Sequence, residues 1–157
     1  MTSAIRLLAC LALCLAVGVL GGLVTYPEIP TWYASLNKPS WTPPNWAFPV
    51  AWNILYAMMA LSLWLLWDRT PESGARSSAI VLFCVQLALN AAWSPVFFGL
   101  HQTRFALAII IVLAIAIAMT IVSAWRINKL AAILLVPYLA WVAYAATLNA
   151  GIVILNP

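Results

Sequence analysis

Five long apolar runs dominate this sequence, and the charged residues fall almost wholly into the gaps between them. The runs cover residues 5–24, 47–67, 78–100, 105–125 and 130–155. A membrane-spanning helix needs about 20 apolar residues, whereas a transmembrane barrel uses alternating strands of about ten. Hydrocarbon offers no partner for free backbone N–H and C=O groups, so runs of this length satisfy their own groups as helices. The sequence therefore predicts an all-α, polytopic membrane protein, a five-transmembrane-helix bundle.

The composition excludes an ordinary soluble domain. Of the 157 residues, 66% are hydrophobic and only 6% are charged, which water would not keep monomeric. Most connections between the runs are short, so neighbouring helices must pack antiparallel. No linker divides the chain, and residues 1–157 are therefore predicted to form a single transmembrane domain.

The basic residues predict how the bundle is oriented. The amino-terminal flank and the second and fourth gaps carry Arg6, Arg69, Arg76, Arg126 and Lys129, whereas the first and third gaps carry only Lys38 and Arg104. Basic residues are retained on the cytoplasmic side. We expect a multi-pass protein of a bacterial envelope membrane, and the distribution of basic residues places its amino terminus in the cytoplasm if that membrane is the inner one.

The same residues argue against a nucleic-acid partner, although the net charge is +4. They stand singly beside the spans and form no cluster or stripe.

The first run resembles a signal peptide, but too few residues precede Cys10 for a cleaved one, so we interpret it as a retained helix. Cys10, Cys14 and Cys84 lie within spans, and their odd number argues against disulfides.

The segment 25–45, between the first two runs, is far longer than a typical connection, which is usual for a lid or binding loop. It reads TYPEIPTWYASLNKPSWTPPN and holds five of the ten prolines, interleaved with Trp32, Tyr33 and Trp41. Proline fixes φ and removes a donor, so this segment is stiff and cannot form one long helix. We expect it either to cover a cavity or to place its rings in the interfacial belt of the membrane.

Polar and aromatic side chains of three runs are predicted to lie at similar depth beneath this segment. At ~1.5 Å rise per helical residue, Trp52, Asn53 and Trp93 lie roughly 8 to 10 Å from the loop side, with Asn90 one turn deeper. Such groups should face the bundle interior, where they either join helices or line a ligand site. As a set, the following side chains predict a pocket: Trp52, Asn90, Trp93, Tyr138 and Trp141.

Other features of the runs agree with a pocket at this level. Pro95 and Pro137 interrupt the third and fifth runs beside these residues and should kink them, which opens space between helices. Ala145 and Leu148 continue from Trp141 at helical spacing. The fourth run offers no comparable groups, so we expect it to serve as scaffold or lipid-facing surface.

The side chains also indicate what the pocket would bind. Indole faces stack on extended rings and few charges lie at depth, so the expected ligand is large, flat and mostly apolar. Its carboxylates could point toward the loop face, near Lys38 and Arg104.

Conventional catalysis finds little support in the sequence. Glu28, Asp68 and Glu72 all lie in loops or at helix ends, so no acidic pair occurs at depth. His101 is the only histidine and lies in a short turn. Neither a base dyad nor a metal site with several ligands can be assembled from it.

Three stretches carry a resemblance to a known family: WYASLNKPSWTPPNWAFPVAWNILYAMM at 32–59, WSPVFFG at 93–99 and VPYLAWVAYAATLN at 136–149. The chain resembles the TspO/MBR family, the tryptophan-rich sensory proteins related to the translocator protein or peripheral-type benzodiazepine receptor. The resemblance covers all five runs. It implies a five-helix bundle, often a homodimer, that binds porphyrins such as protoporphyrin IX and haem in a pocket closed by the first loop. It implies no required cofactor, and it implies that isoquinoline carboxamides and benzodiazepines occupy the same pocket.

The family's motifs extend the predicted site into the loop. By resemblance, Trp32 and Tyr33 correspond to the lid pair of the family, and Ala145 to a contact on its fifth helix. Together with the depth argument, the predicted ligand-binding residues are Trp32, Tyr33, Trp52, Asn90, Trp93, Tyr138, Trp141, Ala145 and Leu148. The late fifth run departs from animal members, because no basic residue follows Lys129 and no aromatic residue follows Tyr144. Sterol binding through that motif is therefore not expected.

Three classes of function stay open at this point. The first is a membrane binding protein that senses, carries or regulates tetrapyrroles. The second, implied by resemblance to some bacterial members, is a light-dependent enzyme that degrades porphyrin, with redox-capable rings at Trp32, Tyr33, Trp52 and Trp141. The third is a structural or regulatory partner in a membrane complex, acting through a close-approach surface at Gly18-x-x-x-Gly22.

Overall fold

A computed structural model describes residues 2–157, and five long helices account for most of that range. Helices α1 to α5 span Ser3–Thr25, Ala47–Asp68, Gly74–Ser94, Thr103–Trp125 and Lys129–Leu155. Each belongs to a segment long and apolar enough to cross a membrane. Residues 2–157 contain no β-strand. The predicted all-α bundle of five transmembrane helices is confirmed.

The third helix differs most from its predicted limits. It begins at Gly74 rather than at residue 78, because the Ser73 hydroxyl accepts a hydrogen bond from the Arg76 N–H at 3.1 Å and caps the amino-terminal turn. At its other end it passes into a π-helical turn, Pro95–Gly99. Proline has no N–H to continue the α-helical pattern, and a wider turn of this kind is frequent at functional sites.

The segment 25–45 folds into short elements, as its prolines require. A 3-10 turn covers Tyr26–Glu28, and a single helical turn, named here the loop helix, covers Trp32–Ser35. Non-helical chain then leads to the start of α2 at Ala47. The segment lies across one end of the bundle.

Helix α5 packs between α2 and α4, while α1 packs against α2 and α3. The main core lies in the middle of the bundle and includes Met59, Phe83, Leu113 and Tyr138, which are almost fully buried. This core separates the two ends of the molecule, so each end can be described on its own.

The amino-terminal end is closed by a polar cluster around Asp68. Its carboxylate accepts hydrogen bonds from the Ser3 hydroxyl at 2.6 Å and the Arg6 guanidinium at 3.1 Å, and it pairs with Arg69 at 3.3 Å. These contacts join the start of α1 to the end of α2. The assignment of this end to the cytoplasm stays a prediction.

Candidate functional site

A cavity of about 500 Å³ occupies the opposite end of the bundle, beneath the segment 25–45. Side chains from all five helices and from the loop line it. This volume lies within the range of small-molecule sites, about 300–1,000 Å³. Within residues 2–157, every side chain that lines the cavity is uncharged. The site is therefore an aromatic and aliphatic chamber with a few amides and hydroxyls.

Most of the side chains predicted from the sequence meet in this cavity. The residues that line it are Tyr33, Trp52, Asn90, Trp93, Trp141, Ala145 and Leu148. They come from the loop, α2, α3 and α5. The depth comparison thus identified side chains that face one space, although contact with a ligand stays a prediction for each.

Two predicted residues do not line the cavity. The Trp32 indole stacks on the His101 ring, with 4.1 Å between ring centroids, and packs edge-on against Phe97. It therefore anchors the loop on the outer side. Tyr138 is fully buried and lies behind Trp52, at 6.2 Å between ring centroids. It supports the wall of the cavity.

Tyr33 is the ring of the loop helix that turns inward. It is buried and packs against Phe97 and Phe98. Burial raises the pKa of the Tyr33 phenol above its ordinary value, so the phenol stays neutral at physiological pH. The loop thus presents an uncharged aromatic surface to the cavity.

The two cations expected near the ligand do not reach the cavity. The Lys38 ammonium donates to the carbonyl oxygen of Leu36 at 2.9 Å and lies 4.8 Å from the centre of the Tyr33 ring. Arg104 is exposed and does not line the cavity. Neither residue lines the cavity, and the loop backbone holds the Lys38 ammonium, so the expectation that they face ligand carboxylates stays a prediction.

A chain of buried hydrogen bonds forms the floor of the cavity. The Tyr56 hydroxyl donates to Asn90 Oδ1 at 2.7 Å, and the Asn90 amide donates to the Tyr138 hydroxyl oxygen at 3.0 Å. The chain joins α2, α3 and α5. Asn90 therefore both joins helices and lines the cavity, although the sequence argument treated these as alternatives.

A second amide fixes the opposite wall. The Trp93 indole N–H donates to Asn149 Oδ1 at 3.3 Å, and the Asn149 amide donates to the Thr103 carbonyl at 2.9 Å. By contrast, the Trp141 indole nitrogen is buried without a hydrogen-bond partner within residues 2–157. The Trp141 ring thus lines the cavity while its indole N–H is buried in the wall.

The sequence argument did not select several residues that shape the cavity. Tyr56 lies one helical turn after Trp52 and stacks on it at 5.4 Å between ring centroids. Phe97 and Phe98 fall in the π-helical turn after Trp93. The spacing of four from Trp52 could have identified Tyr56, but a change of helix type cannot be read from spacing. The fourth helix, expected to be scaffold, also contributes Ile110 and Leu113 to the lining.

The two glycines Gly18 and Gly22 line the cavity but differ in their surroundings. A Cβ atom at Gly18 would lie 2.7 Å from carbon atoms of the Tyr56 ring, whereas Gly22 is exposed and a Cβ there would meet nothing within 4 Å. Tyr56 of the same chain thus occupies the close approach at Gly18, and a partner surface at Gly18-x-x-x-Gly22 stays a prediction.

Three anchors hold the loop over the cavity. Asn37 and Asn156 exchange hydrogen bonds, with Asn37 N–H donating to Asn156 Oδ1 at 3.0 Å and the Asn156 amide donating to the Asn37 carbonyl at 2.9 Å. The Tyr144 hydroxyl donates to the Trp41 carbonyl at 2.7 Å. His101, which stacks on the loop, also lies 3.1 Å from a Glu28 carboxylate oxygen through Nε2. The anchors reach α5 and the turn after α3.

The fold and cavity define a class: a five-helix membrane protein whose loop end encloses an uncharged, tryptophan-rich chamber. The chain belongs to the TspO/MBR family, which it matches over residues 10–155. The match includes four of the five helices in full and most of α1. The resemblance inferred from the sequence motifs is thereby confirmed.

Individual relatives agree with this assignment. The chain is 41% identical to the tryptophan-rich protein TspO of Chlorobaculum tepidum, over 98% of this chain and 97% of the relative. It is 44% identical to the human translocator protein over 75% of this chain and 70% of the relative. It is 38% identical to the tryptophan-rich sensory protein of Cereibacter sphaeroides, over 88% and 84%.

Proposed function

We propose that this protein binds porphyrin-type tetrapyrroles, such as protoporphyrin IX or haem, in the cavity and acts as a sensor or carrier of them in the membrane. The observation that carries the proposal is the uncharged aromatic cavity of about 500 Å³ beneath the anchored loop. A flat, mostly apolar macrocycle fits such a lining, because indole and phenyl faces stack on extended rings.

The polar groups of the cavity support the same class of ligand. The Asn90 side chain lines the floor of the cavity and is held there by its hydrogen bonds to Tyr56 and Tyr138. Asn53 lines the outer part of the cavity and adds an amide there. A small number of polar groups in an apolar wall is enough to orient a ligand that is itself mostly apolar. The names of two relatives, a sensory protein and a translocator protein, agree with either a sensing or a carrying role.

Binding is tested by titrating the protein in lipid nanodiscs with protoporphyrin IX in the dark, following tryptophan fluorescence. We expect saturable quenching, because several indoles line the cavity. Ala145→Phe places a ring inside the cavity and should weaken binding about tenfold or more, as overpacking costs about 1–3 kcal/mol. Ala143→Phe is the matched control, since Ala143 is exposed on the same helix. Equal affinity in both variants, or no saturable binding by the unchanged protein, would contradict the proposal.

A second candidate function is light-dependent breakdown of the porphyrin. It is favoured by the oxidisable tyrosine and tryptophan rings that line the cavity, which include those of Tyr33, Trp52 and Trp141. A photoexcited ligand stacked on such a ring could exchange an electron with it. The same titration under illumination separates the two candidates. Loss of pigment absorbance, at a rate that is lower in Trp141→Phe than in the unchanged protein, indicates the enzyme. Stable pigment absorbance indicates the sensor or carrier.

A further inference from the structure

One side of the cavity wall is open. Six residues at the loop end of α1 and α2 line the cavity and are also exposed on the outside of the bundle: Gly22, Tyr26, Asn45, Trp46, Pro49 and Asn53. Tyr26 is 79% exposed and Trp46 is 68% exposed. Gly22 has no side chain to close the wall, so the cavity is open to the outside beside it. We call this gap between α1 and α2 the side opening.

The glycines of α1 create the gap. A Cβ atom added at Gly22 would meet nothing within 4 Å, so the space beside this residue is empty. At Gly18, one turn deeper, the Tyr56 ring of α2 packs directly on the helix and closes the gap from below. The side opening thus extends from the loop end of the two helices down to the level of Tyr56.

The side opening faces the membrane rather than the water. Gly22 lies within the span Ser3–Glu28, and Pro49 and Asn53 lie within the span Ala47–Asp68. The residues that flank it on the outer surface are large, exposed and aliphatic: Val19, Leu20, Leu23, Val50 and Ile54. Such a surface is compatible with acyl chains and not with water.

The loop closes the other sides of the cavity. Its hydrogen bonds to other elements run from Asn37 and Trp41 to α5, and from Glu28 to His101 after α3. Within residues 2–157 its one hydrogen bond to α2 is the local bond from the Ala47 N–H to the Pro44 carbonyl oxygen. The water-facing route is therefore held shut by several contacts at once, whereas the side-chain hydrogen bonds between α1 and α2 lie at the Asp68 end and not at the side opening.

Asn53 gives the side opening a polar edge. Its side chain is exposed within an apolar span, and within residues 2–157 it takes part in no hydrogen bond. A polar side chain at membrane depth is costly, and such residues are retained where they line a pathway for a ligand. This amide stands where an amphiphilic ligand would pass from lipid into the cavity.

We propose that ligands enter and leave the cavity from the bilayer, through the side opening between α1 and α2, while the loop stays anchored. The choice of a porphyrin as the test ligand rests on the proposed function above, but the direction of entry does not. This pathway can be tested by kinetics. An obstacle in the side opening should lower the association rate and the dissociation rate by the same factor, and it should leave Kd unchanged.

Gly22→Trp tests the pathway, with Leu13→Trp as the control at an exposed position of the same helix that does not line the cavity. Protoporphyrin IX is preloaded in liposomes, and its transfer to protein in nanodiscs is followed by stopped-flow tryptophan quenching. We expect Gly22→Trp to lower both the association and the dissociation rate about tenfold with little change in Kd, and Leu13→Trp to change neither. Unchanged rates in Gly22→Trp, or a weaker Kd with normal association, would overturn the proposal.

The loop route is tested in the same assay with Asn37→Cys/Asn156→Cys in a Cys84→Ser background. The oxidised form ties the loop covalently to the end of α5, and the reduced form lacks this one of the three anchors, so one protein serves as its own control. Equal transfer rates in both forms support entry through the side opening. Transfer that stops on oxidation would overturn it.

A third measurement needs no porphyrin. A spin label at Asn53→Cys, in the Cys84→Ser background, reports whether the side opening meets lipid or water, through its relaxation by oxygen and by a water-soluble nickel complex. High access to oxygen and low access to nickel support the proposal. The reverse pattern overturns it even if the protein binds no porphyrin, so failure of the pathway and failure of the proposed function are separable.

Discussion

At the scale of single residues, the cavity depends on a few side chains that hold others in place. Asn90 holds the side chains of Tyr56 and Tyr138 in place through two hydrogen bonds. Gly18 allows the Tyr56 ring to lie directly against α1. Polar groups inside an apolar bundle have few alternative partners, so each of these positions should be sensitive to small changes.

Gly18→Ala should destabilise the protein. The new Cβ would lie 2.7 Å from Tyr56 ring carbons, so the ring must move and its bond to Asn90 weakens. We expect a loss of about 1–3 kcal/mol, measured by thermal unfolding in detergent. Gly22→Ala is the control, since its Cβ meets nothing within 4 Å. A Gly18→Ala protein as stable as the control would show that Tyr56 is not closely packed on α1.

Tyr56→Phe should remove a donor without removing the ring. Asn90 Oδ1 would then be buried without its partner, at a cost of about 1–3 kcal/mol. The measurement is the same unfolding assay, with Tyr26→Phe as control, because Tyr26 is 79% exposed. If both variants unfold at the temperature of the unchanged protein, the hydrogen-bond chain contributes no stability.

At the scale of elements, the segment 25–45 is a docked lid rather than a flexible tether. Its prolines remove helical alternatives, and its non-helical part is held near α5 at two points, by Asn37 and by the Trp41 carbonyl. The ring of Pro39 fits against Gly151 of α5, where no side chain intervenes. The position of the loop therefore depends on the last turns of α5.

Gly151→Ala should displace the lid. Its Cβ would overlap the Pro39 ring, and Pro39 is buried, so the loop must lift from α5. We expect faster amide hydrogen exchange in residues 32–42, with the helices unchanged, measured by mass spectrometry. Gly74→Ala serves as control, since space is open around that residue. Exchange in the loop that equals the control would mean that Pro39 does not fix the lid.

At the scale of the whole molecule, the two ends have different tasks. The Asp68 cluster ties α1 to α2 at one end, whereas the same two helices separate at the other end to form the side opening. The buried core between them includes Met59 and Phe83. The predicted homodimer would have to use an outer surface other than the Gly18 face, which is filled within the chain.

Asp68→Ala should lower the thermal stability of the bundle without changing the cavity. It removes the acceptor for Ser3 and Arg6, so the start of α1 loosens. We expect a lower Tm together with unchanged hydrogen exchange in residues 32–42. Glu72→Ala is the control, because the side chain of Glu72 is 89% exposed although it pairs with Arg76. Faster exchange in the loop of Asp68→Ala would show that the ends are coupled.

The sequence by itself determined the five-helix membrane fold, because the length of each apolar run and the position of each charge leave no other way to satisfy the backbone. It also determined the level of the cavity, since the rise per residue places Trp52, Asn90 and Trp93 at one depth. The family followed from motifs that contain Trp52 and Trp93.

Only the tertiary structure decided which way each side chain faces. Depth along a helix does not fix rotation about it, so Tyr138 proved to lie behind the wall although it shares the level of the cavity. The path of the loop depends on contacts with distant α5, which turned Trp32 and Lys38 away from the cavity. The side opening likewise arises from two helices that touch at Gly18 and separate at Gly22. The distance between two helices depends on both of them, so no single stretch of sequence encodes it.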